Sequence, residues 1–397
     1  GRVFASGSQA LARLPYEQLR ADARAGLRTA AYVTGYPGSP LANFDRDVGA
    51  AAELAQRDGL PMVFQPAMNE ELGATAVMGS QLAVTLDSCR YDGVLGIWYG
   101  KAPGLDRASD ALRHASFAGT SQYGGAVALV GDDPTAKSST LPSSTGATLV
   151  DLNMPIIHPG DVQEAIDLGR HAVAMSRASG LWVGVKIVET VADGSGTIEV
   201  HPDRVTPVVP TIEVDGRVWV PRPSGRLITP YSLDIEREFH EVRLEIARRY
   251  GVANRLNEIV VRGPGDWVGI IASGHTYHET REALRVLGLR TDDELRDVGI
   301  RVFKVGMPMP LDAEQVRAFA DGLTEVVVVE EKTPNLEWYV KDALFGRPNH
   351  ALVTGKCTPD GAPCFPTWGG LDADSIAPRL RARLEQRLAS RLAPPPL

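Results

Sequence analysis

The sequence predicts an α/β protein with two parallel-sheet domains, and three observations support this prediction. Strand-like apolar segments alternate with segments of helical periodicity in both halves of the chain. Strands as uniformly apolar as 93–100 and 125–133 belong in a parallel sheet that helices cover on both faces. The length of 397 residues is also large for a single hydrophobic core.

The first half alternates regularly between strand and helix. The helix-like segment 41–59 has helical periodicity, most of the predicted helices end at glycine, and the strand ends are followed by Gly- or Pro-rich loops. In chain order, the predicted elements are strand 28–36, helix 41–59, strand 61–66, helix 69–86, strand 93–100, helix 105–119, strand 125–133, helix 161–180 and strand 181–188.

Residues 190–232 differ from this pattern because they are proline-rich and carry only short extended runs. We expect a segment that crosses the surface, followed by an amphipathic helix over 232–254. Alternation resumes near Gly263, with strands 266–274, 300–310 and 324–332 and helices 277–289, 312–323, 336–346 and 374–392. The predicted boundaries are therefore a first domain at 1–200, a linking segment with an amphipathic helix at 201–262, and a second domain at 263–392.

Composition excludes several classes of function. There are 41 basic and 49 acidic residues, a net charge of −8, and no basic run, so neither nucleic acid nor an anionic membrane surface is expected as a partner. No apolar stretch is long enough to cross a bilayer, and no signal peptide is recognisable. We expect a cytoplasmic protein whose Cys89, Cys357 and Cys364 stay reduced, with a Cys357–Cys364 bridge as the alternative. The cysteines lack iron–sulphur spacing, and His275 and His278 lack a third zinc ligand nearby in the sequence.

The segment "QPAMNEELGA" (65–74) contains the most unusual helix start. Asn69 is a favoured N-cap, and acids in the first turn complement the helix dipole. This interpretation explains one glutamate well and two adequately. It does not explain the small residues that follow, which weaken a helix but permit close approach by a neighbour. A buried, functional carboxylate is the alternative hypothesis.

Three strand exits are further candidates. In "TGYPGSPL" (34–41), Gly38 would let a ligand approach the backbone and Ser39 would donate a hydrogen bond, although a plain tight turn explains the pattern equally simply. In 98–114, Lys101 and Arg107 either receive an anion or belong to a solvated helix start. The long polar loop 131–145 is either a functional lid or flexible surface. No dinucleotide, phosphate-loop or serine-hydrolase motif is present.

Eight segments together resemble the N-terminal portion of the indolepyruvate:ferredoxin oxidoreductases, which are thiamine-diphosphate-dependent 2-oxoacid oxidoreductases. In chain order the segments are "RVFASGSQALARLP", "TGYPGSPL", "FQPAMNEELGATAVMGSQ", "IWYGKAPGLDRASDALRHA", "GDDPTAKSST", "SGLWVGVKIVETV", "KVGMPMPL" and "VVVVEEK". The resemblance extends from about residue 2 to about residue 385. It implies an aminopyrimidine-binding domain at 1–200 and a transketolase-C-terminal-like domain at 263–392.

The resemblance also implies site residues. Glu70 matches the glutamate that faces the aminopyrimidine ring of thiamine diphosphate, where a carboxylate on N1′ stabilises the imino tautomer that removes the thiazolium proton. Glu71 is then the acid that caps the helix. Tyr36, Gly38 and Ser39 match a turn near the coenzyme and the substrate. Lys101 and Arg107 are weaker candidates, together with Ser39, for the substrate carboxylate.

By the same resemblance, the chain is expected to work as a subunit or part of a larger enzyme. A partner subunit would carry the diphosphate-binding domain, magnesium and iron–sulphur clusters, and share the thiamine diphosphate. Ferredoxin and coenzyme A would be the further partners. The assembly would be a hetero-oligomer, and a dimer of heteromers is one such arrangement. The expected reaction is oxidative decarboxylation of an arylpyruvate-type 2-oxoacid to an acyl-CoA.

The sequence departs from the family pattern at two places. Relatives commonly read His-Gln-Ser-Glu where this chain has residues 143–146, "SSTG", and a basic residue is usual where it has Thr333. Two alternatives therefore stay open: a diverged thiamine enzyme that performs non-oxidative decarboxylation or carboligation, and a non-catalytic scaffold subunit.

Overall fold

The computed structural model describes residues 1–41, 43–348 and 350–393, which form two compact units. The first unit is Gly1–Asn254 and the second begins at Arg255. Each is built on a mainly parallel sheet flanked by helices, as the sequence predicts.

The first unit contains most of the elements. In chain order they are β1 (Arg2–Ser6), α1 (Gly7–Arg24), β2 (Thr29–Gly35), α2 (Phe44–Arg57), β3 (Met62–Phe64), α3 (Glu70–Leu82), β4 (Gly93–Lys101), α4 (Ala102–Ala118), β5 (Ala126–Asp132), α5 (Gly146–Asp151), β6 (Ile156–Ile157), α6 (Val162–Ser179), β7 (Trp182–Val188), α7 (Glu189–Asp193), β8 (Ser195–Glu199), β9 (Glu213–Val214), β10 (Arg217–Val218), α8 (Tyr231–Glu238) and α9 (Leu244–Ala253). A 3₁₀ turn follows α3, and a π-helical turn joins α8 to α9.

The main sheet of the first unit has six parallel strands in the order β3-β2-β4-β5-β7-β6. Every residue of β5 is buried, as expected for a strand covered on both faces. Because the strands are parallel, their carboxyl ends meet at one edge, which is where such folds place ligands. The exits of β2, β4 and β5 lie side by side at this edge.

Other parts of the first unit lie outside the predicted alternation. The N-terminal strand β1 pairs antiparallel with β8, and α1 follows it. The carboxylate of Asp22 in α1 accepts two hydrogen bonds from Arg177 in α6, both 2.7 Å long. This ion pair is almost fully buried, so it holds the two helices together only while both partners are present.

The second unit contains a five-stranded sheet in the order β11-β13-β12-β14-β15. Its elements are β11 (Asn257–Val261), β12 (Val268–Ser273), α10 (His275–Val286), α11 (Asp292–Asp297), β13 (Ile300–Val305), α12 (Ala313–Ala320), β14 (Glu325–Val329), α13 (Asn335–Leu344), β15 (Leu352–Thr354) and α14 (Ala373–Leu388). Only β11 is antiparallel to its neighbour in this sheet. Apolar clusters on both faces of the sheet form the core.

The predicted linking segment 201–262 is divided between the two units. Residues up to Asn254 belong to the first unit, and β11 is the edge strand of the second. The assignment of the units to particular thiamine-enzyme domains stays a prediction. Cys89, Cys357 and Cys364 are free thiols. Over the described ranges, no helix has the length and apolar character needed to cross a membrane.

Gly35, the last residue of β2, lies where the sheet edge is tightly packed. A Cβ atom built at Gly35 would lie 2.1 Å from the carbonyl oxygen of Tyr99 on β4. We therefore expect Gly35→Ala to lower the free energy of unfolding by about 3 kcal/mol, because backbone atoms have no room to relax. Scanning calorimetry of the purified chain measures this.

Gly49→Ala in α2 is the matched control, since its Cβ would meet only Phe64 Cδ1 at 4.0 Å. In a helix interior this change should raise stability by about 0.5–1 kcal/mol. Equal effects of the two substitutions would contradict the packing argument.

Candidate functional site

All six residues predicted for the site lie in the first unit, at or beside the carboxyl edge of its sheet. Tyr36, Gly38 and Ser39 follow β2, and Lys101 is the last residue of β4. Glu70 begins α3, and Arg107 lies in the second turn of α4. The structure brings Glu70 together with Arg107, and Gly38 together with Lys101.

Glu70 is placed by hydrogen bonds to the backbone around it. The side chain of Asn69 accepts a hydrogen bond from Leu72 N at 2.9 Å, which confirms Asn69 as the predicted N-cap. The indole N–H of Trp98, on β4, donates to the Glu70 carbonyl oxygen at 2.9 Å. The start of α3 is therefore attached to a central strand of the sheet at the position of Trp98.

Two glycines permit close packing around the start of α3. A Cβ atom at Gly104, near the start of α4, would lie 2.8 Å from both Cγ and Oε1 of Glu70. A Cβ atom at Gly73 would lie 3.3 Å from Trp98 Cδ1 and 3.4 Å from the Cα of Gly35. Gly104 thus lets α4 approach the Glu70 side chain, and Gly73 lets α3 approach the sheet.

The Glu70 carboxylate is buried but lacks a hydrogen-bond donor. Only 8% of the residue is exposed. Among the described residues, its ion-pair partner is Arg107, whose Nε lies 4.0 Å from Oε2, and no hydrogen bond ends on the carboxylate. Glu71, in contrast, is exposed. A carboxylate that no protein donor reaches can accept a hydrogen bond from a ligand, so this geometry fits a ligand that brings an N–H group.

The turn after β2 lies over the ends of β4 and β5. Tyr36 N donates to the carbonyl oxygen of Tyr99 at 3.2 Å, and Leu41 N donates to that of Gly38 at 2.7 Å. A Cβ atom at Gly38 would lie 2.7 Å from Lys101 Cδ, and one at Gly131, at the end of β5, would lie 2.8 Å from Pro40 Cδ. Glycines on both sides of the contact permit this close approach.

Lys101 is a half-buried cation at this edge. Its aliphatic chain packs against Gly38. Within the part of the chain that the structure describes, its ammonium group has no hydrogen bond or ion pair. Arg107 is directed to Glu70, so Lys101 is the better placed of the two predicted cations to meet an anion.

Tyr99, beneath the turn, is a structural residue. Its ring is fully buried against Phe44, with the centroids 4.9 Å apart. Burial, and then the neighbouring Asp45 carboxylate, raise the pKa of the Tyr99 hydroxyl well above its ordinary value. The phenol therefore stays protonated throughout the physiological range.

The polar loop after β5 is ordered by one aspartate. The carboxylate of the fully buried Asp133 accepts hydrogen bonds from the backbone N–H groups of Lys137 (2.9 Å), Ser138 (2.9 Å) and Ser139 (3.0 Å). The Ser138 hydroxyl is hydrogen-bonded to that of Ser39. This loop is therefore part of the site edge, and sequence reasoning named it without identifying Asp133 or Ser138.

The residues that depart from the family pattern have structural roles in the same loop. The Ser143 hydroxyl accepts a hydrogen bond from Asp133 N at 2.8 Å. Thr145 donates to the buried carboxylate of Asp132 through its backbone N (3.0 Å) and its hydroxyl (3.1 Å). These side chains close the loop on β5.

Comparison with known proteins finds a family model and several curated relatives. The family model described as "Indolepyruvate oxidoreductase domain" matches residues 258–391. Indolepyruvate oxidoreductase subunit IorA of Methanothermobacter thermautotrophicus is 25% identical over 336 residues, covering 85% of this chain and 48% of that protein. The subunit of the same name from Archaeoglobus fulgidus is 27% identical over 340 residues, covering 86% of this chain and 48% of that protein. The chain thus spans about half the length of the curated relatives it matches.

A solved structure shares the fold. A 2-oxoglutarate:ferredoxin oxidoreductase from Magnetococcus marinus, with 2-oxoglutarate, coenzyme A and succinyl-CoA bound, matches with a TM-score of 0.68 and 15% sequence identity. The match covers 96% of this chain and 65% of that one. It confirms the predicted fold class of two parallel-sheet α/β domains.

The Asp133 loop should depend on pH. Burial alone would raise the pKa of the Asp133 carboxyl, but the N–H groups of Ser138, Lys137 and Ser139 outweigh it and lower the pKa below its ordinary value. A lowered pKa means that the stabilisation is complete above the unfolded-state pKa of about 3.9 and is lost as the pH falls through the folded value. We expect the backbone amides of 137–139 to lose hydrogen-exchange protection, corrected for intrinsic rates, below about pH 4.

Asp133→Asn is the control for this measurement. The asparagine side chain carries no negative charge at any pH, so the N–H groups of 137–139 lose their carboxylate acceptor. Their corrected protection should therefore be low at all pH values. A wild-type loop that keeps its protection on acidification until the whole chain unfolds would contradict the role of Asp133.

Proposed function

Because the chain belongs to the indolepyruvate:ferredoxin oxidoreductase family, we propose that it is the aminopyrimidine-binding part of a thiamine-diphosphate-dependent 2-oxoacid:ferredoxin oxidoreductase. In this proposal the complete enzyme decarboxylates an arylpyruvate-type 2-oxoacid to an acyl-CoA and passes the electrons to ferredoxin. The first unit supplies the pyrimidine site and the second unit is the transketolase-C-terminal-like domain.

The observation that carries the proposal is the Glu70 carboxylate. It is 8% exposed, and no described donor reaches it by a hydrogen bond. A ring N–H of the aminopyrimidine is a donor of the right kind, and a carboxylate is the acceptor that such a group requires. When bound, thiamine diphosphate would supply the electron sink for decarboxylation.

The neighbouring residues have definable tasks in this proposal. Trp98 and Asn69 hold Glu70 in place, and the closely packed Gly104 leaves the carboxylate little freedom to turn away. Tyr36, Gly38 and Ser39 line the same edge on the side of the β2 exit. Lys101 and Ser39 would bind the substrate carboxylate, while Arg107 stays beside Glu70.

The surface next to Glu70 supports a role for a partner chain. Met68 and Leu72 flank the start of α3 and are 86% and 52% exposed, and Ala76 is exposed one turn further along. An apolar surface beside a polar site is typical of a contact between chains. We propose that a partner subunit carrying the diphosphate-binding domain, magnesium and iron–sulphur clusters completes the site there, with ferredoxin and coenzyme A as further partners.

Glu70→Gln in the assembled complex tests the proposal. The amide keeps the shape of the side chain but cannot take part in proton transfer with the ring nitrogen, so turnover of indolepyruvate should fall by about 10²–10⁴-fold. Ferredoxin reduction in the presence of coenzyme A and thiamine diphosphate measures this.

Glu71→Gln is the matched control, because Glu71 lies in the same first turn but is exposed. Its turnover should stay within about two-fold of the wild type, since isolated exposed charges contribute little. Equal turnover by Glu70→Gln and the wild type would favour the scaffold alternative. Formation of a carboligation product or free aldehyde, independent of ferredoxin, would favour the diverged enzyme.

A further inference from the structure

We infer that Ser138 is a further substrate-contacting residue of this site and that Asp133 is the residue that positions it. The inference rests on the proposed function, since it assigns Ser138 to the carboxylate end of the 2-oxoacid, beside Ser39 and Lys101. Ser138 is the member of this set that comes from the exit of β5.

The segments that follow β2 and β5 are in contact. The hydroxyls of Ser39, after β2, and Ser138, after β5, are hydrogen-bonded to each other. The Ser139 hydroxyl also donates to the Ser39 carbonyl oxygen at 3.4 Å. In the sheet, β4 lies between β2 and β5 and ends at Lys101. Three neighbouring strand exits therefore contribute polar side chains to one edge.

Asp133 determines the shape of the loop after β5. Asp133 accepts hydrogen bonds from three successive backbone N–H groups, and Ser143 N returns to the Asp133 carbonyl oxygen at 3.0 Å. Lys137 forms an ion pair with Glu189 in α7, which ties the outer part of the loop to the unit. The position of Ser138 is thus set by its own backbone and by Asp133.

The Ser138 hydroxyl takes no part in shaping the loop. Asp133 binds the backbone N–H of Ser138, whereas the Ser138 hydroxyl turns to Ser39. The loop therefore does not need this hydroxyl for its shape. Ser138 is also exposed, so its hydroxyl is accessible to a ligand.

The hydrogen-bond donors at this edge are complementary to a carboxylate. In a pair of hydrogen-bonded hydroxyls, one donates to the other and the accepting hydroxyl keeps its own proton for a further acceptor. The Lys101 ammonium adds donors that, among the residues the structure describes, are not used elsewhere. The Lys101 side chain packs against Gly38, the residue before Ser39, so the ammonium and the paired hydroxyls belong to the same sheet edge. A hydroxyl proton and an ammonium group at one edge favour an anionic oxygen ligand, and the carboxylate of a 2-oxoacid is such a ligand.

The test measures indolepyruvate kinetics with the assembled complex, ferredoxin and coenzyme A. Ser138→Ala should raise KM for indolepyruvate by about three- to ten-fold, the usual effect of losing one hydrogen bond, and leave kcat within about two-fold. Ser138→Thr keeps the hydroxyl and should retain the wild-type KM. Asp133→Asn should raise this KM similarly, although the Ser138 hydroxyl is still present.

The controls distinguish substrate contact from general damage. Ser144→Ala removes a hydroxyl from the same loop and should leave KM unchanged. In Ser138→Ala the KM for coenzyme A and the affinity for thiamine diphosphate should match the wild type. An unchanged indolepyruvate KM in Ser138→Ala, or an equal rise in Ser138→Thr, overturns the inference.

Calorimetric titration of the complex with indolepyruvate, without coenzyme A and ferredoxin, separates this inference from the proposed function. A complex that binds indolepyruvate more weakly after Ser138→Ala, but never turns it over, contradicts the proposed reaction and supports the subsite. Equal binding by wild type and Ser138→Ala, with normal turnover, contradicts the subsite alone. A wild-type complex that neither binds nor turns over indolepyruvate overturns both.

Discussion

The hydrogen bond from the Trp98 indole to the Glu70 carbonyl oxygen determines where the site lies. It joins the first residue of a helix to a strand buried inside the sheet, so the start of this helix is held against the sheet interior. Asn69 fixes the same helix start from the other side. A carboxylate anchored through its main chain keeps its side-chain oxygens for another partner, which a side-chain anchor would have occupied.

Close backbone approach is the second constraint on this edge. Gly35, Gly38, Gly104 and Gly131 each face an atom that a Cβ would approach within 3 Å. Such contacts bring the β2 turn over β4 and β5 and bring α4 against Glu70, without any side chain between them. The polar groups that remain at the edge are then the few that the strand exits supply, and their separation is set by the spacing of neighbouring strands.

The sequence alone predicts the central part of this arrangement. Apolar strands such as β4 and β5 and the Asn69 cap leave local signals, and the resemblance to the indolepyruvate oxidoreductases predicts Glu70 as a site residue. The short or irregular elements were missed: β6 has two residues, α5 has six, and β1, β11 and β15 pair with segments far away in sequence. Trp98 and Asp133 were missed for a similar reason, because a tryptophan in an apolar strand suggests core, and a loop aspartate shows its role only when its backbone partners are known.

The geometry of Glu70 also explains why a stable chain would keep an unsatisfied group. A carboxylate in a residue that is 8% exposed loses part of its hydration, and the 4.0 Å approach of a largely exposed Arg107 offsets only part of this loss. The exposed Met68 and Leu72 beside it add apolar surface that water solvates poorly. Both costs disappear together if a heterocycle donates to the carboxylate and a second protein surface covers the start of α3. Coenzyme binding and subunit association are then coupled through one helix terminus, so each should strengthen the other.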